Sequence, residues 1–166
     1  MDVAILIVSS KAYTGATTET GQAELERLLE SYNARVVACD IVPDDRQIIR
    51  HKLLTLCESV SPPVILTVGG TGVRPTDWAP EATRDVIDKE IPGIGEAMRW
   101  ESLKKVRTAM LSRATAGIKG TTLIVNLPGN PKAARENLMV VLPILEHTVN
   151  KIGRAGRTVS CGETPS

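Results

Sequence analysis

A chain of 166 residues with 42% apolar residues fits one globular domain and needs no disulfide or metal staple to hold it together. Its 20 basic and 19 acidic residues leave a net charge of +1, which excludes the single-sign field of a general nucleic-acid or membrane-surface binder. Two Trp, two Tyr and no Phe mean that the core must be aliphatic.

Val3 to Val8 is a continuous β-branched and aliphatic run, the pattern of a strand covered on both faces. The polar Thr/Gly stretch from Ser9 to Gly21 reads as a long loop. Helical spacing begins near Gln22, with Leu25, Leu28 and Leu29 on one face. Ala34 to Val42 reads as a second strand, ended by Pro43-Asp44-Asp45, where Asp44 or Asp45 can cap the helix whose stripe is Ile48, Ile49, Leu53 and Leu56.

Pro63 to Val68 is a third buried strand and runs directly into Gly69-Gly70-Thr71-Gly72. A helix is predicted to begin at Pro80 and another to run from Gly95 to Lys104. Met110 to Ala116 reads as a short strand and Thr121 to Leu127 as a buried one. Pro128-Gly129-Asn130-Pro131 breaks the latter, and a helix follows from Pro131 to about Ile152, kinked or divided by Pro143. The tail, residues 153–166, has almost nothing to bury and is expected to be mobile.

Strands alternating with helices predict an α/β three-layer αβα sandwich with a mainly parallel sheet over residues 1–152. Cys39, Cys57 and Cys161 form no CxxC pair and no metal spacing with His51 or His147, so they read as small apolar residues in a reducing compartment. No run is long enough to span a bilayer, and Met1–Val8 lacks a basic flank or cleavage site, so a soluble, cytoplasmic protein is expected.

In such sheets ligands bind beyond the carboxyl ends of the strands, which singles out the loops 9–21, 43–45, 69–77 and 128–131. Glycines 69, 70 and 72 let the backbone approach a ligand, and successive N–H groups can cradle a phosphate. No Lys-Ser/Thr follows them and they do not make GxGxxG; taken alone, a tight turn closing the strand is the favoured reading. Asp44 and Asp77 sit at neighbouring strand ends, where two carboxylates can share one Mg²⁺ completed by phosphates and water. A helix cap for Asp44, a loop carboxylate or cap for Asp77, and a favourable helix-dipole contact for Glu81 are the local alternatives. The turn 126–131 is equally a strand-to-helix connection or an anion site at a helix N-terminus. Ser112 and Arg113 could contact a phosphate. His51 and His147 fall on helices away from these loops, and no Ser/His/Asp or Cys/His set suggests a protein nucleophile.

Together the segments resemble a family. Thr67-Val68-Gly69-Gly70-Thr71-Gly72-Val73-Arg74-Pro75-Thr76-Asp77-Trp78-Ala79-Pro80-Glu81-Ala82-Thr83 is similar to the central motif of the MogA/MoaB-like molybdopterin adenylyltransferases, among whose relatives are the G domains of plant proteins and of animal gephyrin. Val42-Pro43-Asp44-Asp45, Ile91-Pro92-Gly93, Met110-Leu111-Ser112-Arg113, Ala116-Gly117-Ile118 and Asn126-Leu127-Pro128-Gly129-Asn130-Pro131 fall in family order, over residues 3 to 152.

The resemblance implies transfer of AMP from Mg-ATP to the terminal phosphate of molybdopterin, with pyrophosphate released. It implies Asp44 and Asp77 as the essential acids and Mg²⁺ ligands, and Ser9, Gly69, Gly70, Thr71, Gly72, Glu81, Ser112, Pro128, Gly129 and Asn130 around the substrates. A homotrimer or hexamer, and a molybdenum insertase as downstream partner, are also implied. The alternative is a MoaB-like protein that binds molybdopterin without catalysis. The first loop departs from the pattern: where many members have Ser-Asp and then Asp-x-Ser-Gly, this chain has Ser9-Ser10 and Glu19-Thr20-Gly21.

Overall fold

The computed structural model describes residues 1–18 and 21–154. The six strands are β1 (Asp2–Val8), β2 (Arg35–Val42), β3 (Val64–Val68), β4 (Lys89–Glu90), β5 (Ala116–Lys119) and β6 (Thr122–Leu127). They form one sheet in the order β2-β1-β3-β6-β5-β4. Neighbours among β2, β1, β3 and β6 run parallel, while β5 and β4 are antiparallel additions at one edge.

The helices are α1 (Ser10–Tyr13), α2 (Gln22–Ser31), α3 (Arg46–Thr55), α4 (Ala79–Arg84), α5 (Pro92–Leu103) and α6 (Pro131–Arg154). Alternation along each strand splits the core between the two sheet faces. Val3, Ile5 and Ile7 of β1 pack with Leu66, Val125, Leu29, Met98 and Leu138 on the face covered by α2, α5 and α6. Ala4, Leu6 and Val8 pack with Ile65, Ile124, Ile49, Leu53 and Ala82 on the face covered by α3 and α4. The expected three-layer αβα sandwich with an aliphatic core is the observed one. No described helix is long and apolar enough to cross a membrane.

Several local expectations are corrected. The segment expected as a loop from Ser9 begins with a single helical turn, α1, because Ser9 Oγ accepts the N–H of Ala12 at 3.1 Å and so caps a helix too short to show periodicity. The strand expected at Met110–Ala116 does not form: Arg107–Leu111 is a 3₁₀ turn and β5 starts at Ala116. Backbone groups of that segment bond outside the sheet, the Arg113 N–H to Thr71 O and the carbonyls of Ser112 and Ala114 to the Arg99 guanidinium.

Pro143 does not divide α6, which runs unbroken to Arg154. The carbonyl it leaves without a helical donor is that of Met139, on the exposed side of the helix. Gly153, assigned to the tail, is still helical, and the expected mobility of residues 155–166, with Cys161, lies outside the described residues. Cys39 and Cys57 are half-buried against the two core faces, and burial pushes the Cys39 thiol up to about 11, with Glu26 and Asp40 adding to it.

One polar cluster is buried within this apolar frame. Asn126, fully buried on β6, donates to Thr67 Oγ1 at 2.9 Å and to Thr83 Oγ1 at 2.8 Å, and its Oδ1 accepts the Thr115 N–H at 3.2 Å. A single amide thereby joins β3, α4 and the segment leading into β5. Replacing Asn126 by Ala would leave three buried partners unsatisfied and is expected to cost about 2–4 kcal/mol, read as a lowered urea midpoint.

Candidate active site

Parallel strands β1, β2, β3 and β6 deliver their carboxyl ends to one edge of the sheet. The chain leaves β1 toward β2 on one side and reaches β3 on the other, so a crevice opens where the winding reverses. A cavity of about 680 Å³ lies there, within the range of small-molecule sites. Ser9, Ser10 and Lys11 line it from the end of β1, Asp44 from the end of β2, Gly69 to Arg74 with Thr76 and Asp77 from the end of β3, and Gly129 and Asn130 from the end of β6.

The glycine turn is required by close packing. Gly69 has φ +109°, and a Cβ there would stand 2.3 Å from the carbonyl oxygen of Val8. Its N–H donates to Leu127 O at 3.0 Å, and a Cβ on Gly129 would stand 3.2 Å from the Gly69 Cα. Gly70, at φ +66°, turns the chain so that its carbonyl accepts the Ala79 N–H at 3.0 Å and starts α4. The turn thus does what the tight-turn reading required and also forms the floor of the cavity.

The two carboxylates converge. Asp44 and Asp77 line the same cavity. Asp44 is not the cap of α3: Asp45 is, accepting the N–H groups of Gln47 and Ile48 at 2.9 Å each. Asp44 Oδ2 instead accepts the Ser10 N–H at 2.9 Å, while Ser10 Oγ accepts the Asp44 N–H at 2.9 Å. Asp77 does not cap α4 either; its Oδ2 accepts the Arg74 N–H at 2.9 Å. Neither Oδ1 has a hydrogen bond among the described residues.

Two carboxylates lining one cavity, each with an oxygen that makes no hydrogen bond among the described residues, suit a cation that takes most of its ligands from a bound polyanion and water. Among the described residues no group of three or more His, Cys, Asp or Glu could form a complete protein cage. The donor set therefore fits a Mg²⁺ brought in with phosphates, as hard cations with few protein ligands are held.

Three of the predicted site residues are elsewhere. Pro128 follows β6 but does not line the cavity, and neither do Glu81 and Ser112. Ser112 instead borders a smaller cavity of about 300 Å³ with Arg84, Arg99 and Arg113. Arg113 is engaged with the turn and with Glu81. Its N–H donates to Thr71 O at 2.8 Å, Nε to Gly72 O and Nη2 to Asp77 O at 2.7 Å each, and Nη1 pairs with Glu81. Arg113 and Glu81 clasp the loop from behind. The cations that do line the cavity are Lys11 and Arg74, and its wall also includes Ser10, Thr76 and Leu111, for which local sequence carried little signal.

A second tie joins the loops that bear the acids. Arg46, two residues after Asp44, makes a two-point ion pair with Asp85 at 2.8 Å per contact and lies over the ring of Trp78, one residue after Asp77. The Arg46 hydrogen bond holds the Asp85 carboxyl below the usual carboxylate range.

An α/β sandwich whose glycine turn and two carboxylates line one cavity at the carboxyl edge of a parallel sheet has the ligand-site arrangement of the open α/β folds. A family model described as a probable molybdopterin binding domain matches residues 4–147, and the chain belongs to that family. The molybdopterin adenylyltransferase of Helicobacter pylori strain J99 is 39% identical over 152 residues, 90% of this chain and 86% of that protein. That of Escherichia coli K12 is 38% identical over 138 residues, 82% of this chain and 71% of that protein. The crystal structure of the molybdopterin biosynthesis enzyme MoaB from Thermus thermophilus superposes with a TM-score of 0.86 at 42% identity, covering 94% of this chain and 97% of that one.

Two outcomes test this geometry. Gly69→Ala combines a left-handed backbone with a clash against a main-chain oxygen, so it is expected to destabilise the fold by at least about 1–3 kcal/mol in denaturant titration. Asp85→Asn should be less stable than the parent at pH 7. Because the Asp85 pKa is lowered in the folded state, its contribution is present above the ordinary Asp pKa and is lost as pH falls through the lowered value, so the two unfolding midpoints should converge in acid.

Proposed function

We propose that this chain is a molybdopterin adenylyltransferase of molybdenum-cofactor biosynthesis, using ATP and molybdopterin as substrates. The observation that carries the reading is the convergence of Asp44, Asp77 and the Gly69–Gly72 turn on one cavity, in a chain 39% identical over 90% of its length to an enzyme of that name.

In the proposed reaction an oxygen of the molybdopterin terminal phosphate attacks the α-phosphorus of ATP. A new phosphorus–oxygen bond forms, the bond from the α-phosphorus to the bridging oxygen breaks, and pyrophosphate leaves. The nucleophile is an ionised phosphate that the substrate itself carries. What the protein must do is bring two anions together in line and offset the charge that develops between them.

The N–H groups of Gly70, Thr71 and Gly72 are the donors proposed for the nucleotide phosphates, that of Gly69 being bonded to Leu127 O. Lys11 and Arg74 supply side-chain positive charge to the same space. Asp44 and Asp77 are the residues that would hold Mg²⁺, whose chemistry is to neutralise and align the phosphate oxygens. Ser9, Gly129 and Asn130 are proposed to line the pterin and phosphate positions, and Glu81 acts through Arg113 rather than on the substrate.

A homotrimer or hexamer is part of this reading, supported by apolar residues left exposed at the end of α5 and in the turn after it, Trp100, Val106 and Met110. The adenylylated product would pass to a molybdenum insertase. Ser10, standing where many family members carry Asp, is the observation that keeps a binding-only protein in view. Retention of molybdopterin with no ATP consumed would decide for that reading.

With purified protein, molybdopterin, ATP and Mg²⁺, AMP incorporation with equimolar pyrophosphate is expected. Asp77→Asn should lower kcat by about 10²–10³, the scale of losing one charge-stabilising contact, with the circular dichroism spectrum unchanged. An Asp77→Asn enzyme turning over at the parental rate would overturn the assignment.

A further inference from the structure

The two acids are held by the same device, although their loops are unrelated in sequence. In each, Oδ2 accepts one backbone N–H from the segment that follows a central strand: Ser10 after β1 for Asp44, Arg74 after β3 for Asp77. In each, Oδ1 carries no hydrogen bond among the described residues. A free carboxylate on an exposed loop samples several rotamers, whereas one whose second oxygen is tied to the main chain keeps its first oxygen in one direction.

What differs is how each tie is protected. At Asp44 it is made reciprocal by a hydroxyl, since Ser10 Oγ accepts the Asp44 N–H at 2.9 Å. The two hydrogen bonds close a ring between segments 34 residues apart, as a capping box does within one helix turn. At Asp77 it is protected by an absence. A Cβ on Gly72 would stand 2.8 Å from Asp77 Oδ2, so a side chain there would displace the carboxylate oxygen from the Arg74 N–H. Gly72 differs from Gly69 and Gly70 in having no left-handed φ, and among the described residues beyond its chain neighbours the atoms within 4 Å of its missing Cβ are those of the Asp77 carboxylate. Backbone conformation therefore does not account for glycine at this position, whereas the space needed by Asp77 does.

We infer that Ser10 and Gly72 are positioning residues that aim the Asp44 and Asp77 carboxylates at a shared divalent cation. Ser10 does so by a reciprocal hydrogen-bonded ring, Gly72 by leaving room for the carboxylate to fold back. The inference rests on the reading of Asp44 and Asp77 as cation ligands. It gives the departure at Ser10 a role of its own: a neutral hydroxyl holds the Asp44 backbone without placing a second negative charge beside the carboxylate.

The test uses Mn²⁺ as the cation probe, with α,β-methylene-ATP to supply the phosphates, and reads free Mn²⁺ by electron paramagnetic resonance. Ser10→Ala and Gly72→Ala are each expected to weaken Mn²⁺ binding about tenfold or more, the scale on which residues behind a metal ligand act. Thermal midpoints should stay near the parental value, because Ser10 is exposed and the atom displaced by Gly72→Ala is the end of a side chain. Ser10→Thr, which keeps the hydroxyl, should restore binding to within about twofold of the parent, a rescue that general loosening of the loop would not give.

Parental Mn²⁺ binding in Ser10→Ala and Gly72→Ala, together with weakened binding in Asp44→Asn and Asp77→Asn, would overturn the positioning role alone. Parental binding in the two Asp→Asn variants as well would overturn the cation-ligand reading, and the inference with it.

Discussion

The ends of β1, β3 and β6 meet at Gly69 with no space between them for a side chain. The missing Cβ faces the Val8 carbonyl on one side, the N–H reaches the Leu127 carbonyl on the other, and Gly129 packs against the Cα. This three-way contact brings the polar loops after those strands to one point, and everything else in the site is arranged around it. A parallel sheet alone would place the loops on the same edge; the contact at Gly69 makes them walls of one cavity.

Loops so close together still need to be kept from moving independently. Two arginines do this from outside the cavity. Arg113 binds three carbonyls of the turn that carries Asp77 and is neutralised by Glu81, so its charge serves the loop's backbone. Arg46 joins the start of α3 to α4 through Asp85 and the Trp78 ring, and these helices follow Asp44 and Asp77 respectively. The division of labour is electrostatically sensible: the guanidinium groups suited to multipoint contact serve as ties, and the cavity itself takes its side-chain cations from Lys11 and Arg74.

Sequence patterns reveal the fold through its strands, because β1, β3 and β6 are short aliphatic runs, the last two bounded by Gly and Pro, and strands buried on both faces read as such near-continuous runs. The site is legible to the level of loops, since the carboxyl-edge rule needs only strand order, and Asp44 and Asp77 are the acids of two such loops. Contacts between distant backbones are not legible. Whether Asp44 or Asp45 caps α3 is ambiguous locally and is settled by Ser10, 34 residues earlier in the chain than Asp44. Glu81 and Ser112 lie close in sequence to cavity residues, yet one pairs with Arg113 and the other borders the smaller cavity, because Arg113 draws that segment behind the turn. The Met110–Ala116 stretch misleads for the same reason: its apolar character suggests a strand, but its backbone groups bond to Thr71 and Arg99.

The antiparallel pair at the sheet edge has an architectural consequence. Reversing direction at β5 turns the hairpin at Gly120, between β5 and β6, toward the amino end of the parallel strands and away from the cavity. Nothing lies within 4 Å of where a Gly120 Cβ would stand. The cavity and this hairpin therefore stand at opposite ends of the parallel strands, so a longer β5–β6 connection would project away from the cavity.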